Sequence, residues 1–330
     1  MLDTAPASNA RPVMEKLRFP RVTIVIPHYN YSEFVGDALQ SVKQQSYQNI
    51  ACVVVDDCSS PDHWAALQRE FAQVADERFT LIQAPENKGM VHAIYRGISE
   101  RPSSFVCVLD PDDRYDPQFI RKMLDVHLNR VIFCPLASCD QHLFKIGDGI
   151  ITSTQYTSRL EQLGTSAEEA EHASFARYGF HKFVSPLETG WHWCTTSSMM
   201  FRTDALLTFK PIKDFAYKGQ GDSYCANGAH MLGGSLILHE ALVYRGLHTK
   251  NDFITNSIFS MWQRQERQGV VHLSDEVKID VIEAFFANGG LDHFTPGSIR
   301  EVLLAQFPEG ELDKLMNAVP AAAELISAGQ

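Results

Sequence analysis

Up to residue 135 the apolar positions alternate between two rhythms. Short unbroken runs, VTIVI (22–26), IACVVV (50–55), FTLIQA (79–84), SFVCVL (104–109) and RVIFCP (130–135), are rich in β-branched residues and lack polar alternation. Strands buried on both faces read this way. Between them, apolar residues recur at helical spacing: Phe34, Val35, Ala38, Leu39 and Val42; then Trp64, Leu67, Phe71 and Val74; then Val91, Ile94 and Ile98; then Phe119, Ile120, Met123 and Leu124. Ser60 suits an N-cap, with Pro61 at the first helical position. Strand-then-helix alternation predicts a parallel sheet with helices on both faces.

From residue 136 the regularity breaks. LFKIGDGIITS (143–153) predicts a hairpin turning at Gly147-Asp148-Gly149, and a helical patch follows near 160–178. SSMMFRT, GSLILH and ALVYR read as further strand-like pieces. From 253 to 330 the pattern is purely helical, with Ser298-x-x-Glu301 read as a capping box. Val277, Val281, Ile282 and Phe285 make one helical face there, and Leu312, Leu315, Met316 and Val319 another. The chain thus divides into a flexible leader (1–20), a strand–helix half (21–135), a less regular half (136–252) and a helical extension (253–330).

Composition changes this picture by exclusion. The net charge is −11, from 29 basic and 40 acidic residues, and no Lys/Arg run stands out. Nucleic acid is therefore excluded as the main partner. No stretch reaches the roughly 18 apolar residues of a membrane-spanning helix. Seven cysteines, an odd number without a secretory signal, point to reduced thiols in the cytoplasm.

The candidate chemistry lies where the first four strands end, at Pro27-His28-Tyr29-Asn30, Asp56-Asp57-Cys58-Ser59-Ser60, Pro85-Glu86-Asn87-Lys88-Gly89 and Asp110-Pro111-Asp112-Asp113. Parallel strands open their carboxyl ends onto one edge, where α/β sheets bind ligands. Clustered acids repel unless a cation joins them, and Mg²⁺ and Mn²⁺ prefer oxygen ligands. The bland reading of the acidic turn is a solvated loop with Asp116 capping the next helix. Asp57 can accept a base or ribose proton, or simply form a turn. No Gly-x-Gly-x-x-Gly follows the first strand, and Met90 stands where a P-loop needs Ser or Thr. Gly89 lets the backbone approach either a ligand or a packed strand. Trp191-His192-Trp193 offers aromatic faces for a sugar ring, or an ordinary packed Trp pair. Cys134, Cys139 and His142 have the spacing of a zinc half-site but no second pair.

In order and spacing, VTIVIPHYN, SVKQQSYQNIACVVVDDCSS, PENKG and FVCVLDPDDRYDP resemble the donor-binding half of family 2 glycosyltransferases, inverting enzymes of the GT-A fold. The resemblance covers residues 22–120. It implies a mixed, mainly parallel sheet flanked by helices, with 21–135 as the nucleotide-sugar half and 136–252 as the acceptor half of one GT-A domain. It implies that Asp57 reads the base, that Pro27 and Tyr29 shape that pocket, and that Lys88 and Gly89 line the donor site. Asp112 and Asp113 would contact ribose and a metal–diphosphate, with Asp113 the direct ligand of Mn²⁺ or Mg²⁺. Gly219-Gln220-Gly221-Asp222 fills the slot of an acidic pair, making Asp222 the candidate base, with Gly221 in place of the usual preceding acid. Arg245 and His248 are separated by two residues where one is common, and His248 would touch the diphosphate or the metal. Ile94-Tyr95 replaces a common Arg-Asn pair.

The implied activity is metal-dependent transfer of a sugar, with inversion, from a nucleotide-diphosphate sugar to a hydroxyl of a glycan or glycolipid. A UDP-sugar is the expected donor, and the reaction would run at the cytoplasmic face of an envelope, with peripheral membrane contact. Two other readings compete. A nucleotidyltransferase would show a Gly-rich basic loop after the first strand, and HYNYSEF has none. A non-catalytic sugar-nucleotide binder would use the helical extension as its interaction module.

Overall fold

The computed structural model describes residues 19–128, 134–145, 149–153, 182–214, 221–248 and 275–328. The first half is a regular strand–helix series: β1 (Val22–His28), α1 (Val35–Lys43), β2 (Ile50–Asp56), α2 (Pro61–Val74), β3 (Phe79–Gln83), α3 (Met90–Glu100) and β4 (Phe105–Val108). These strands lie in the order β3-β2-β1-β4, and every pairing among them is parallel. Alternate side chains feed opposite layers, as the pleat requires. Ile24, Ile26, Cys52 and Val54 pack with Leu39, Leu67 and Phe119. Val25, Val53 and Val55 pack on the other side with Ile94, Tyr95 and Tyr224.

The second half comprises β5 (Arg114–Tyr115), α4 (Phe119–His127), β6 (Leu136–Lys145), β7 (Gly149–Ser153), β8 (Lys182–Val184), β9 (Met199–Arg202), α5 (Thr203–Thr208), α6 (Gly221–Met231) and β10 (Ser235–Leu247). The sheet continues from β4 through β9, β6, β10 and β5. β9 is antiparallel to both neighbours, whereas β6 and β10 are parallel. Strand RVIFCP is corrected: 129–133 lie outside the described residues, Cys134 and Pro135 are not in a strand, and β6 begins at Leu136. GSLILH and ALVYR form the single strand β10, whose register shifts between Leu238 and Val243, where His239 and Glu240 interrupt the apolar run. The predicted hairpin is β6–β7; its turn, the helical patch near 160–178 and residues 1–18 lie outside the described residues.

Helices α7 (Asp275–Ala287), α8 (Pro296–Gln306), α9 (Glu309–Ala318) and α10 (Pro320–Ser327) follow. Val281, Phe285, Leu303 and Leu315 join the core that contains α3 and α6, so the described part of the extension shares packing with the sheet. The capping box at Ser298 is corrected: Thr295 is the N-cap of α8 and Pro296 opens it, because proline's fixed φ suits the first helical position. Ser298 sits inside the first turn, its hydroxyl donating to the Thr295 carbonyl at 2.9 Å. Among the described residues, no helix is long and apolar enough to cross a membrane.

Candidate active site

Because β1, β2 and β4 are parallel, the loops after them share one edge. β9 starts at that edge because it runs antiparallel to β4, and β10 ends there because it is parallel to β6, which is antiparallel to β9 and so runs with β4. The acidic turn after β4 therefore shares this edge with the loops after β1 and β2, the start of β9 and the end of β10.

On the β1–β3 side the polar groups are tied to one another. The Asp57 carboxylate, almost fully buried, accepts the amides of Lys88 (2.9 Å) and Gly89 (2.6 Å), and so caps the start of α3. Gly89 has φ 88°, a conformation open to glycine, which lets both amides turn toward the acid. Pro27 is half-buried and Tyr29 is 49% exposed, so its ring faces open space. The Lys88 ammonium pairs with Glu86 (3.0 Å) and with Asp214 (3.2 Å) at the surface. Beneath these loops, His28 Nδ1 meets Asp56 at 2.8 Å, both side chains fully buried. Burial works to raise the Asp56 carboxyl, but hydrogen bonds from His28 and Ser59 outweigh it and hold it below the ordinary range.

The acidic turn is the opposite case. Asp113 is buried, and its Oδ1 accepts the Gly246 amide at 2.9 Å. Gly246 has the Asp112 backbone carbonyl pressed against it, where a Cβ would collide, so β10 can lie this close only with glycine there. Burial first, then the neighbouring Asp112 charge, push the Asp113 carboxyl up to about 7, while Ser197, Arg245 and Gly246 pull partly back. Asp110 is raised well above its usual range by burial and by Asp113, Asp112 and Asp222, opposed by Arg245. Ser197 accepts the Asp110 amide at 3.0 Å. His248 Nε2 lies 2.9 Å from Asp112 Oδ2, and its ring stacks on Phe34 (centroids 4.1 Å apart, 18° between planes).

Asp222 lies in the first turn of α6 and accepts the Ser223 amide at 2.7 Å. Burial raises its carboxyl, against Ser223 and Arg245. Asp110 feels the charges of Asp112, Asp113 and Asp222 together, which puts the turn and α6 on one cleft. Asp57 connects to the same cleft through Gly89 and Met90, since Met90 packs on Gly221. The aromatic wall needs a correction. Trp193 is 2% exposed, edge-on to Trp191 and His230 in the core, and cannot face an acceptor. Trp191 and His192 remain half-exposed, with His192 Nε2 3.0 Å from the Thr189 carbonyl.

Sequence reasoning missed three contributors. Ser197 sits just before β9 in a stretch read only as strand. Phe34 was assigned to a buried helical face, but it precedes α1 and holds the His248 ring. His28 looked like one residue among four in its cluster, although buried polar side-chain atoms are mostly hydrogen-bonded.

Among the described residues, no three His, Cys, Asp or Glu side chains converge to hold a metal by themselves. The donor set fits a divalent cation shared with a ligand's phosphates. Asp112, 2.9 Å from His248, and Asp113 beside it offer carboxylate oxygens, and the Asp113 and Asp110 carboxyls are raised by burial first and by the neighbouring acids after it. Mg²⁺ is typically held by one or two carboxylates together with substrate phosphates.

The sequence profile of Glycosyl transferase family 2 matches residues 23–185. An uncharacterized glycosyltransferase of Nostoc sp. is 22% identical over 258 residues, 78% of this chain and 74% of that one. The putative teichuronic acid biosynthesis glycosyltransferase TuaG of Bacillus subtilis is 28% identical over 111 residues, 34% of this chain and 43% of its own. The succinoglycan biosynthesis protein ExoO of Rhizobium meliloti is 34% identical over 114 residues, covering 34% of this chain and 31% of that one. The last two matches thus span less than half of the relatives' own length. Among solved structures, the mannosyltransferase PcManGT from Pyrobaculum calidifontis, in complex with GDP-Man and Mn²⁺, aligns with 94% of this chain and 74% of its own, at 17% identity and a TM-score of 0.49.

Proposed function

The chain is a family 2 glycosyltransferase by the domain at residues 23–185, and on that premise we propose that it moves a sugar from a nucleotide-diphosphate sugar to a hydroxyl of a glycan or glycolipid, with inversion and with a divalent cation. The observation that supports this most is the crowding of Asp110, Asp112, Asp113 and Asp222 around one cleft with Arg245 as the opposing cation. A cleft whose buried acids are costly to ionise alone suits a cation and a leaving group that arrive together. The relatives named for teichuronic acid and succinoglycan biosynthesis support a polysaccharide as the acceptor class. In this reading the protein works in the cytoplasm, in peripheral contact with the inner face of the membrane.

In this reading Asp57, fixed by two backbone amides, accepts a hydrogen bond from the base, with Pro27 and Tyr29 beside it and the Lys88-Gly89 loop along the donor. Asp112, Asp113 and His248 would hold Mn²⁺ or Mg²⁺ against the diphosphate. Such a cation neutralises the charge of the departing nucleotide diphosphate without a proton. Asp222, raised by burial, takes the proton of the acceptor hydroxyl as its oxygen bonds to the anomeric carbon. The bond from that carbon to the diphosphate oxygen breaks, its electron pair leaving with the nucleotide. A single displacement inverts the centre, and no carboxylate acts as nucleophile.

Thermal-shift measurements with UDP-, GDP- and dTDP-sugars, each with and without Mn²⁺, test this. Native-state binding adds about 2.7 kcal/mol at a hundred times the dissociation constant. The expected result is a cation-dependent shift with one nucleotide class, UDP first. No shift with any sugar nucleotide, or one indifferent to cation, would sink the reading.

A further inference from the structure

The loops after β1 and β2 flank the position of Asp57, and each holds a non-glycine residue in the left-handed region: Asn30 at φ 56° and Cys58 at φ 62°. Such conformations persist where the surroundings over-determine them, and they gather at functional sites. Here the surroundings are one buried hydrogen-bond network. Asp56 accepts His28 Nδ1 (2.8 Å), the Ser59 amide (3.1 Å) and Gln83 Nε2 (3.2 Å). The Ser59 hydroxyl donates to Asp56, and its oxygen accepts the Asn30 amide at 2.9 Å and lies 3.3 Å from His28 Nδ1. Two further bonds cross between the loops, from the Ser60 amide to Asn30 Oδ1 (2.9 Å) and from the Asp57 amide to the His28 carbonyl (2.8 Å).

We propose that His28 is a positioning residue for donor recognition: its ring locks Asp56 and Ser59 so that the two loops present Tyr29 and Asp57 to the nucleotide base. This rests on the reading of Asp57 as the base contact. His28 itself is sealed from the cleft, with 1% of its surface exposed, and touches no ligand. Among the described residues its Nε2 is buried without a hydrogen-bond partner, so the ring's polar connection there runs through Nδ1. A ring kept for packing would have no need to leave a buried nitrogen unpaired, which costs stability. The Nδ1 proton points at Asp56, because a carboxylate only accepts.

The test uses His28→Phe, which fills the volume without the bond, His28→Asn, whose amide nitrogen can stand in for Nδ1, and the smaller change Ser59→Ala. Dissociation constants are measured for UDP or GDP, whichever the wild type binds, and for ribose 5-diphosphate, which lacks the base. Steady-state kinetics are run alongside. The clamp predicts that His28→Phe and Ser59→Ala weaken the nucleotide about tenfold, the scale of one hydrogen bond, and leave ribose 5-diphosphate unchanged. Donor KM rises while turnover at saturating donor stays within about twofold, and His28→Asn recovers most of the affinity. Equal weakening of both ligands, or none in either variant, overturns the proposal; should His28→Phe fail to fold, Ser59→Ala decides. Asp57→Ala separates the two readings. If it weakens the nucleotide and the clamp variants do not, the clamp is wrong; if it does not, the base reading is wrong and the clamp falls with it.

Discussion

Asp56 and Asp113 stand at the same edge of one sheet, both almost without exposed surface, yet their carboxyls are driven in opposite directions. Burial raises both. At Asp56 a histidine, a serine and a backbone amide answer the charge, and the acid ends below its ordinary range. At Asp113 the neighbouring Asp112 charge adds to burial, and Ser197, Arg245 and Gly246 do not make up the difference. The β1–β3 side of the edge is complete within the protein. On the acidic side Arg245 opposes several neighbouring buried acids. A recognition surface can be finished in advance, whereas a site that must stabilise a departing anion gains from charge supplied with the substrate.

The largest expected effect tests the acidic side. Asp222→Asn should lower turnover by about 10²–10⁴-fold, the usual worth of a general base, or roughly 3–5 kcal/mol. Nucleotide affinity should persist, because the base-side contacts are untouched. Unchanged turnover would remove Asp222 from the reaction.

His127 asks whether hydrogen bonds alone can decide such a contrast. Its Nδ1 lies 3.2 Å from the Cys134 carbonyl and its Nε2 2.9 Å from the Met200 carbonyl. Burial nevertheless lowers it to about 4, so neutral partners do not replace an opposite charge. An unfolded histidine titrates near 6.5. As pH falls below that value the unfolded chain takes the proton first, so stability drops until about pH 4 and stays flat beneath it. The loss from this residue is about 3 kcal/mol. The raised carboxyls act with the opposite sign over part of that range, so the readout is the difference between wild type and His127→Gln in denaturation midpoints from pH 7 to 4. A variant with the same slope as the wild type would refute the assignment.

The acids themselves can then be compared directly. Asp56→Asn should destabilise by about 1–3 kcal/mol, as it removes the charge that its buried donors serve. Asp113→Asn keeps an oxygen for the Gly246 amide but removes the cost of burying a charge there and its repulsion from Asp112, so the ligand-free protein should gain about 1 kcal/mol or more while turnover collapses. Chemical denaturation of both variants settles it. Two changes of the same sign would dissolve the contrast between the two sides.

The legibility of the chain divides along the same line. The β1–β4 series was readable because each strand is buried on both faces and each helix on one, so period and composition agree. The acidic turn and Asp57 were visible for the same reason, since a strand end in a parallel sheet has only one edge to face. β9 was not placed, because a four-residue strand inserted antiparallel between β4 and β6 leaves no periodic trace. Trp193 was misread because two tryptophans separated by one residue look alike in sequence, whereas one turns into the core. The His28–Asp56 pair joins residues 28 positions apart, and nothing local announces it.

Two departures from the family pattern that look independent in sequence lie on two helices, α3 and α6, that pack on each other. Gly221 stands where an acid is usual, and Ile94-Tyr95 where Arg-Asn is common. In the fold, a Cβ on Gly221 would lie 2.9 Å from both Cγ and Sδ of Met90, the first residue of α3. One turn along α3, Ile94 is fully buried, and the Tyr95 hydroxyl donates to the Leu206 carbonyl at 2.7 Å. Apolar packing between α3 and α6 thus occupies the ground where charged groups would meet. Gly221→Ala should change stability by less than about 1 kcal/mol, because a methionine end can swing aside and alanine favours the helix by roughly the same amount. Gly221→Glu should cost more, since it adds a carboxylate beside Asp222 and against Met90. If Met90 is what excludes the acid, combining Gly221→Glu with Met90→Ala should show a coupling of at least about 0.5 kcal/mol in a double-mutant cycle. Strict additivity would mean that the glycine is kept for another reason.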